Sequence, residues 1–214
     1  MGYLVEATQF YVCMLPCFVA FQLVVWYLCK KNDIAVSAQH IIGLYLLSYV
    51  MITMLSVTGA AVLFAPGISF DINLSEVSLI PFQWGEPRGI LLNLLMFIPY
   101  GFLLPLLSKK LGSISKVLLS GFLFSLAIEL SQLLNHRTTD IDDLLMNTAG
   151  AVVGYLLYAW CSKKGTSVYV KKWRLPEEKM KDHSFFQKEI TYFVVFVFLI
   201  NFLVKPFVIQ LLFL

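Results

Sequence analysis

Between residues 129 and 150 the chain reads ELSQLLNHRTTDIDDLLMNTAG, and Glu129, Arg137, Asp140, Asp142 and Asp143 crowd into that stretch between two apolar runs. Charges so placed either decorate a water-facing loop or form a site. Ser125, Glu129, Gln132 and His136 follow at spacings of four, three and four, so one face of a helix carries all of them. Glu129 lies well inside the apolar run. Facing lipid at that depth costs on the order of 2.5 kcal/mol or more, so its carboxyl belongs in an interior, either as part of a site or as a hydrogen-bonding group between helices. In the next run Asp143, Asn147, Gly150, Ala151 and Gly154 share a face. Asp140 suits the N-cap of that helix, with Asp143 as the reciprocal member of a capping box. Capping accounts for one or two aspartates but not for three beside an arginine. Asp142 is the one left over, with Arg137 as its ion-pair partner or as a clamp on a ligand anion.

These groups sit in a chain built for lipid. Of its 214 residues 59% are hydrophobic and 14% charged, with a mean hydropathy of +0.79; a soluble domain has about 45–50% and about 25%. Six apolar runs, near Thr8–Cys29, Ile41–Phe64, Gly89–Leu107, Lys116–Leu134, Leu144–Cys161 and Tyr192–Phe213, approach the roughly 20 residues that a membrane helix needs. The expected fold is an all-α, polytopic transmembrane bundle of about six helices, one domain over residues 1–214, with a basic connector at 162–190 and a final helix at 192–213. The third and fifth runs are short and carry glycines, which predicts tilt or half-buried flanking loops. Pro99 and Gly101 in FIPYG predict a kink in the third. Asn93 near its start is either interhelical glue or part of the site. Gly150 and Gly154 in GAVVG form a small-xxx-small pattern that lets another helix approach closely. Glu129 and Lys205 each lie about 13 residues from the predicted inner end of their helix, roughly 20 Å. Two readings of Lys205 stand: it pairs with Glu129, or it snorkels to the outer surface.

Orientation follows from the lysines and arginines, which cytoplasmic loops collect. Lys30 and Lys31 follow the first run, Lys109, Lys110 and Lys116 join the third and fourth, and eight more lie between Lys163 and Lys188. The opposite side keeps only Arg88 and Arg137, with Lys205 inside the last run. Thirteen against two predicts both termini outside and the charged motif on the extracellular face. The loop from Ala65 to Arg88, with SEVSLIPFQWGEPRG, reads as a segment at the outer membrane surface, and the connector after Ser162 as a solvated stretch touching anionic lipid. The N-terminus lacks the basic region of a cleaved signal peptide, and MGYLVEA is no myristoylation signal. Cys13, Cys17, Cys29 and Cys161 lie in apolar stretches without CxxC spacing and read as small hydrophobes. No metal or cofactor is expected. A net charge of +3 gives no support to nucleic-acid binding, and neither internal repeats nor a phosphate loop, zinc motif or nucleophile elbow is visible.

Three ordered blocks, NLLMFIPYGFLLP, SLAIELSQLL and RTTDIDDLLMNTAGAVVGY, preceded by SLIPF, resemble the VanZ-like family of bacterial membrane proteins from about Glu76 to Tyr155. The family's pattern falls here on Asn93, Pro99, Gly101, Glu129, Gln132, Arg137, Asp140, Asp142, Asp143, Asn147 and Gly150. The resemblance implies a multi-pass protein of the plasma membrane in Gram-positive bacteria, associated with low-level resistance to teicoplanin and related lipoglycopeptides. It supplies no established reaction. Taken with the residues, it gives an expected ligand site of Glu76, Arg88, Asn93, Glu129, Gln132, Arg137, Asp140, Asp142, Asp143 and Asn147, with Pro99, Gly101, Gly150 and Gly154 structural. Expected partners are membrane lipids, and a lipoglycopeptide or lipid-linked wall precursor. Two alternatives remain open. One is a membrane-embedded enzyme using Glu129 and Asp142 as acid and base or as oxygen ligands of a divalent cation; the other is a transporter or flippase.

Overall fold

The structure is a computed structural model that describes residues 2–60, 77–78, 87–134, 139–164, 167–176, 179 and 184–213. Among them, six helices are long and apolar enough to cross a membrane. Inside lipid every backbone N–H and C=O must be satisfied within the segment, so apolar runs of this length become helices. They are α1 (Gly2–Lys31), α2 (Ala38–Val57), α3 (Pro87–Leu107), α4 (Ile114–Leu133), α5 (Ile141–Lys164) and, after two short helices α6 (Ser167–Lys172) and α7 (Ser184–Gln187), α8 (Glu189–Phe213). A two-residue parallel pair joins β1 (Val77–Ser78) to β2 (Thr139–Asp140), with Ser78 opposite Asp140.

The helix ends follow from local chemistry. Asn32 and Asp33 end α1, with Asp33 at φ 53° and the Ile34 amide bonded back to the Cys29 carbonyl at 2.9 Å. Gly59, at φ 68°, does the same for α2, where Ala60 N–H reaches Leu55 O at 3.1 Å. Both are left-handed C-caps that satisfy carbonyls the helix leaves open.

Two expectations about length are corrected. Neither the third nor the fifth membrane helix is short: α3 has 21 residues, and α5 has 24 because the Asp140 cap starts it at Ile141, three residues before the apolar run. Helix α3 runs unbroken through Pro99 and Gly101. Gly101 also meets a packing need: a Cβ there would lie 2.0 Å from the Ala151 carbonyl oxygen of α5. Gly150 and Gly154 press equally closely on α3, where added Cβ atoms would meet Leu94 O at 2.2 Å and Ile98 O at 2.1 Å. The two backbones therefore touch, as small-xxx-small faces permit.

Around this pair, Phe97, Tyr100 and Phe124 stack between α3 and α4, and Met14, Phe18, Leu44, Leu47 and Phe193 pack α1, α2 and α8 together. Leu91, Leu95, Leu119, Leu123, Leu156 and Trp160 stay exposed on the outside of the bundle, where lipid is their natural solvent. The four cysteines are free thiols. The connector after Ser162 departs from the expected solvated stretch. Leu175 and Phe186 are buried against Val25, Cys29 and Ile34, Ser37 Oγ donates to the Lys172 carbonyl, and Lys179 Nζ donates to the Asp33 carbonyl.

Candidate functional site

The C-terminal turn of α4 and the first turn of α5 meet at one end of the bundle. Glu129, one turn from the end of α4, is 2% exposed, and its Oε2 accepts the Asp140 N–H at 3.3 Å. Asp140 Oδ1 in turn accepts the Asp142 N–H at 3.0 Å, which makes Asp140 the N-cap of α5. A capping box would hand the Asp140 amide to Asp143. Glu129 takes that amide instead, and Asp143 accepts a hydrogen bond from Asn93 Nδ2 of α3. The reciprocal role expected of Asp143 is thus replaced by a link between helices. Asp142 is 1% exposed. Two buried acids, Glu129 and Asp142, are therefore joined to one capping aspartate, Glu129 by accepting its amide and Asp142 by donating to its carboxylate.

A polar layer continues inward. Asn147 Nδ2 donates to Ser125 Oγ at 2.9 Å, tying α5 to α4, and Gln132 Nε2 donates to the Thr58 carbonyl at 2.7 Å, tying α4 to the end of α2. The amide oxygens Gln132 Oε1, Asn147 Oδ1 and Asn201 Oδ1 are buried without a hydrogen-bond partner among the described residues. A buried acceptor left unmade costs about 1–3 kcal/mol. The site is consequently rich in acceptors, and a group bringing N–H or O–H donors would satisfy it.

Ser125, Glu129, Gln132, Asp140, Asp142, Asp143, Asn147 and Asn93 are brought to this end. Arg88 stands exposed in the first turn of α3. Glu76, Arg137 and His136 lie outside the described residues. Lys205 does not pair with Glu129: its Nζ donates to Ser56 Oγ at 3.3 Å and lies 4.7 Å from the Phe10 ring centroid. Equal depth did not make the two neighbours, because α8 packs on α1 and α2. Among the described residues no three His, Cys, Asp or Glu side chains gather as a metal site would require.

The opposite end holds a second buried polar cluster. His40, 1% exposed in the first turn of α2, faces both carboxylate oxygens of Glu189, 2% exposed at the start of α8, at 3.1 and 3.2 Å. Its other ring nitrogen lies 2.9 Å from the Trp173 carbonyl. Arg174 donates to the Pro105 and Leu106 carbonyls at the end of α3 and to the Tyr158 hydroxyl of α5. Sequence reasoning passed these residues over. The available signal was modest: a histidine and a glutamate each opening an apolar helix at the basic end.

A family profile described as VanZ/LLP1 matches residues 41–162, from α2 through α5. Among curated proteins, Protein VanZ of Enterococcus faecium is 32% identical over 96 residues, which cover 44% of this chain and 59% of that protein. The chain thus matches well under two thirds of that relative's length. No solved structure matches the chain. The matched segment carries Glu129, Asp140, Asp142 and Asn147 together with the glycine-packed α3–α5 pair and leaves out α1 and α8. Six apolar helices and a family match over more than half the length agree: the chain is a multi-pass membrane protein that belongs to the VanZ/LLP1 family.

Proposed function

We propose that the Glu129–Asp142 end faces the cell exterior and binds an amphiphilic, donor-rich ligand, a lipoglycopeptide or a lipid-linked wall precursor, and that this binding gives low-level resistance to teicoplanin and related lipoglycopeptides. The observation that carries this reading is the pairing of buried acids with unmet acceptors. Glu129 and Asp142 are buried at the mouth of an apolar bundle, and the Gln132 and Asn147 amide oxygens below them lack donors among the described residues. A glycopeptide or sugar-bearing lipid offers many hydroxyl and amide donors, and its tail can remain in the bilayer while its polar part enters. The outward orientation is supported by the thirteen basic residues in the sequence segments assigned to the opposite side.

Separate Glu129→Gln and Asp142→Asn variants test the site, with membrane abundance and teicoplanin susceptibility measured in the same cells. The expected outcome is normal abundance with resistance lost. Normal abundance with full resistance in both variants would sink the proposal, and a loss of abundance would assign the acids to packing. For orientation, Lys110→Cys in a cysteine-free background should resist a membrane-impermeant thiol reagent in intact cells and react once the cells are permeabilised. Labelling in intact cells would reverse the assignment.

A further inference from the structure

At the basic end a cavity of about 320 Å³ opens between the end of α3, the connector and the start of α8. Its walls are apolar, from Leu107, Leu175, Phe186 and Ile190, and its cations are Lys109, Lys110 and Arg174. Lys109 and Lys110 are exposed on a single 3₁₀ turn. Lys110 Nζ reaches Gln187 Oε1 at 3.4 Å. Arg174 is fixed in place by its bonds to Pro105, Leu106 and Tyr158.

Glu189 also lines the cavity, and both of its carboxylate oxygens face the buried His40 ring, at 3.1 and 3.2 Å. The other ring nitrogen of His40 lies 2.9 Å from the Trp173 carbonyl. Three cations and one carboxylate, itself paired with His40, therefore line the cavity.

A second, apolar groove of about 230 Å³ lies near the cavity, between α4 and α8. Lys110 and Ile190 line the cavity, and their chain neighbours Leu111 and Thr191 line the groove, so the two lie next to each other. On α8 the groove extends from Thr191 to Leu199, a rise of roughly 12 Å. That approaches the hydrocarbon depth of one leaflet, about half of the roughly 30 Å apolar core. Ser120 and Ala127 mark the same extent on α4.

We propose that this end is a binding site for an anionic phospholipid, with the phosphodiester between Lys109, Lys110 and Arg174 and one acyl chain in the α4–α8 groove. A pocket carrying three cations beside an apolar groove of single-leaflet depth matches the two halves of such a lipid. A free anion would make no use of the groove, and a zwitterionic lipid would make less use of the cations. This site is separate from the Glu129 end and does not depend on what binds there.

The test uses purified full-length protein in detergent, offered phosphatidylglycerol and phosphatidylcholine in equal amounts, with retained lipid counted by native mass spectrometry. Phosphatidylglycerol is expected to be retained selectively. The double variant Lys109→Ala/Lys110→Ala should weaken its retention by about tenfold or more, and Lys109→Arg/Lys110→Arg should preserve it. Ala127→Phe, which fills the groove and leaves every charge in place, should also release the lipid. Equal retention of both lipids overturns the assignment. So does wild-type retention in both the Lys→Ala and Ala127→Phe proteins, or displacement of phosphatidylglycerol by inorganic phosphate alone.

Discussion

The two ends of this bundle bury charge in different ways. At the motif end, Glu129, Asp140 and Asp142 lie within 14 residues of one another, and the Glu129 and Asp140 carboxylates each accept a backbone amide. At the basic end, His40 and Glu189 are 149 residues apart and hold each other. Among the described residues the first arrangement leaves amide oxygens without donors, whereas the second has its ring nitrogens and carboxylate oxygens all engaged. A polar cluster that completes itself acts as a fastener between chain segments. One that remains incomplete has capacity for something else.

If that contrast holds, substitutions at the two ends should separate folding from function. The largest effect on stability is expected from His40→Ala, which leaves Glu189 buried without its partner. Removing one member of a buried pair destabilises by about 3–5 kcal/mol, and membrane abundance should fall, with teicoplanin resistance falling only in proportion. The double variant His40→Leu/Glu189→Met removes both polar groups and should recover most of the stability in thermal unfolding. If it is as unstable as His40→Ala, the pair is not acting as a fastener. Next comes Gly150→Ala, whose added methyl would lie 2.2 Å from Leu94 O. Overpacking of this kind costs about 1–3 kcal/mol, and here the same loss should reach both ends, because α3 and α5 run between them. The smallest stability change is expected from Glu129→Gln. Its amide oxygen can still accept the Asp140 N–H, so unfolding should shift by about 1 kcal/mol or less while resistance is lost. A large drop in stability there would erase the distinction between the ends.

What could be read from the sequence divides along the same line. The six helices were legible because each is a run of apolar residues, and Glu129 stood out because it interrupts one. Asp140 as an N-cap was legible because capping is local. The limits of the reading were also physical. Asp143 was assigned to the cap because its spacing fits, but Asn93, 50 residues away, takes it. Lys205 and Glu129 were placed at one depth, yet depth says nothing about azimuth, and α8 turned Lys205 toward Ser56 and Phe10. Gly101 was read with Pro99 as a kink, and its close contact with Ala151 was not anticipated because it is made across helices. The His40–Glu189 pair and the anchoring of Arg174 depend on segments that meet only after the bundle has formed, so no local pattern announced them.

Asp140 takes part in three structures at once. Its side chain starts α5, its amide serves the Glu129 carboxylate, and its backbone stands opposite Ser78 in the short parallel pair. Residues that share a partner in this way have interaction energies of their own, typically about 0.5–3 kcal/mol, on top of their separate contributions. Positions 78, 129 and 142 are therefore thermodynamically coupled through a residue that need touch no ligand. A ligand that draws on Glu129 would also be felt at the start of α5 and at Ser78, in the connection between α2 and α3.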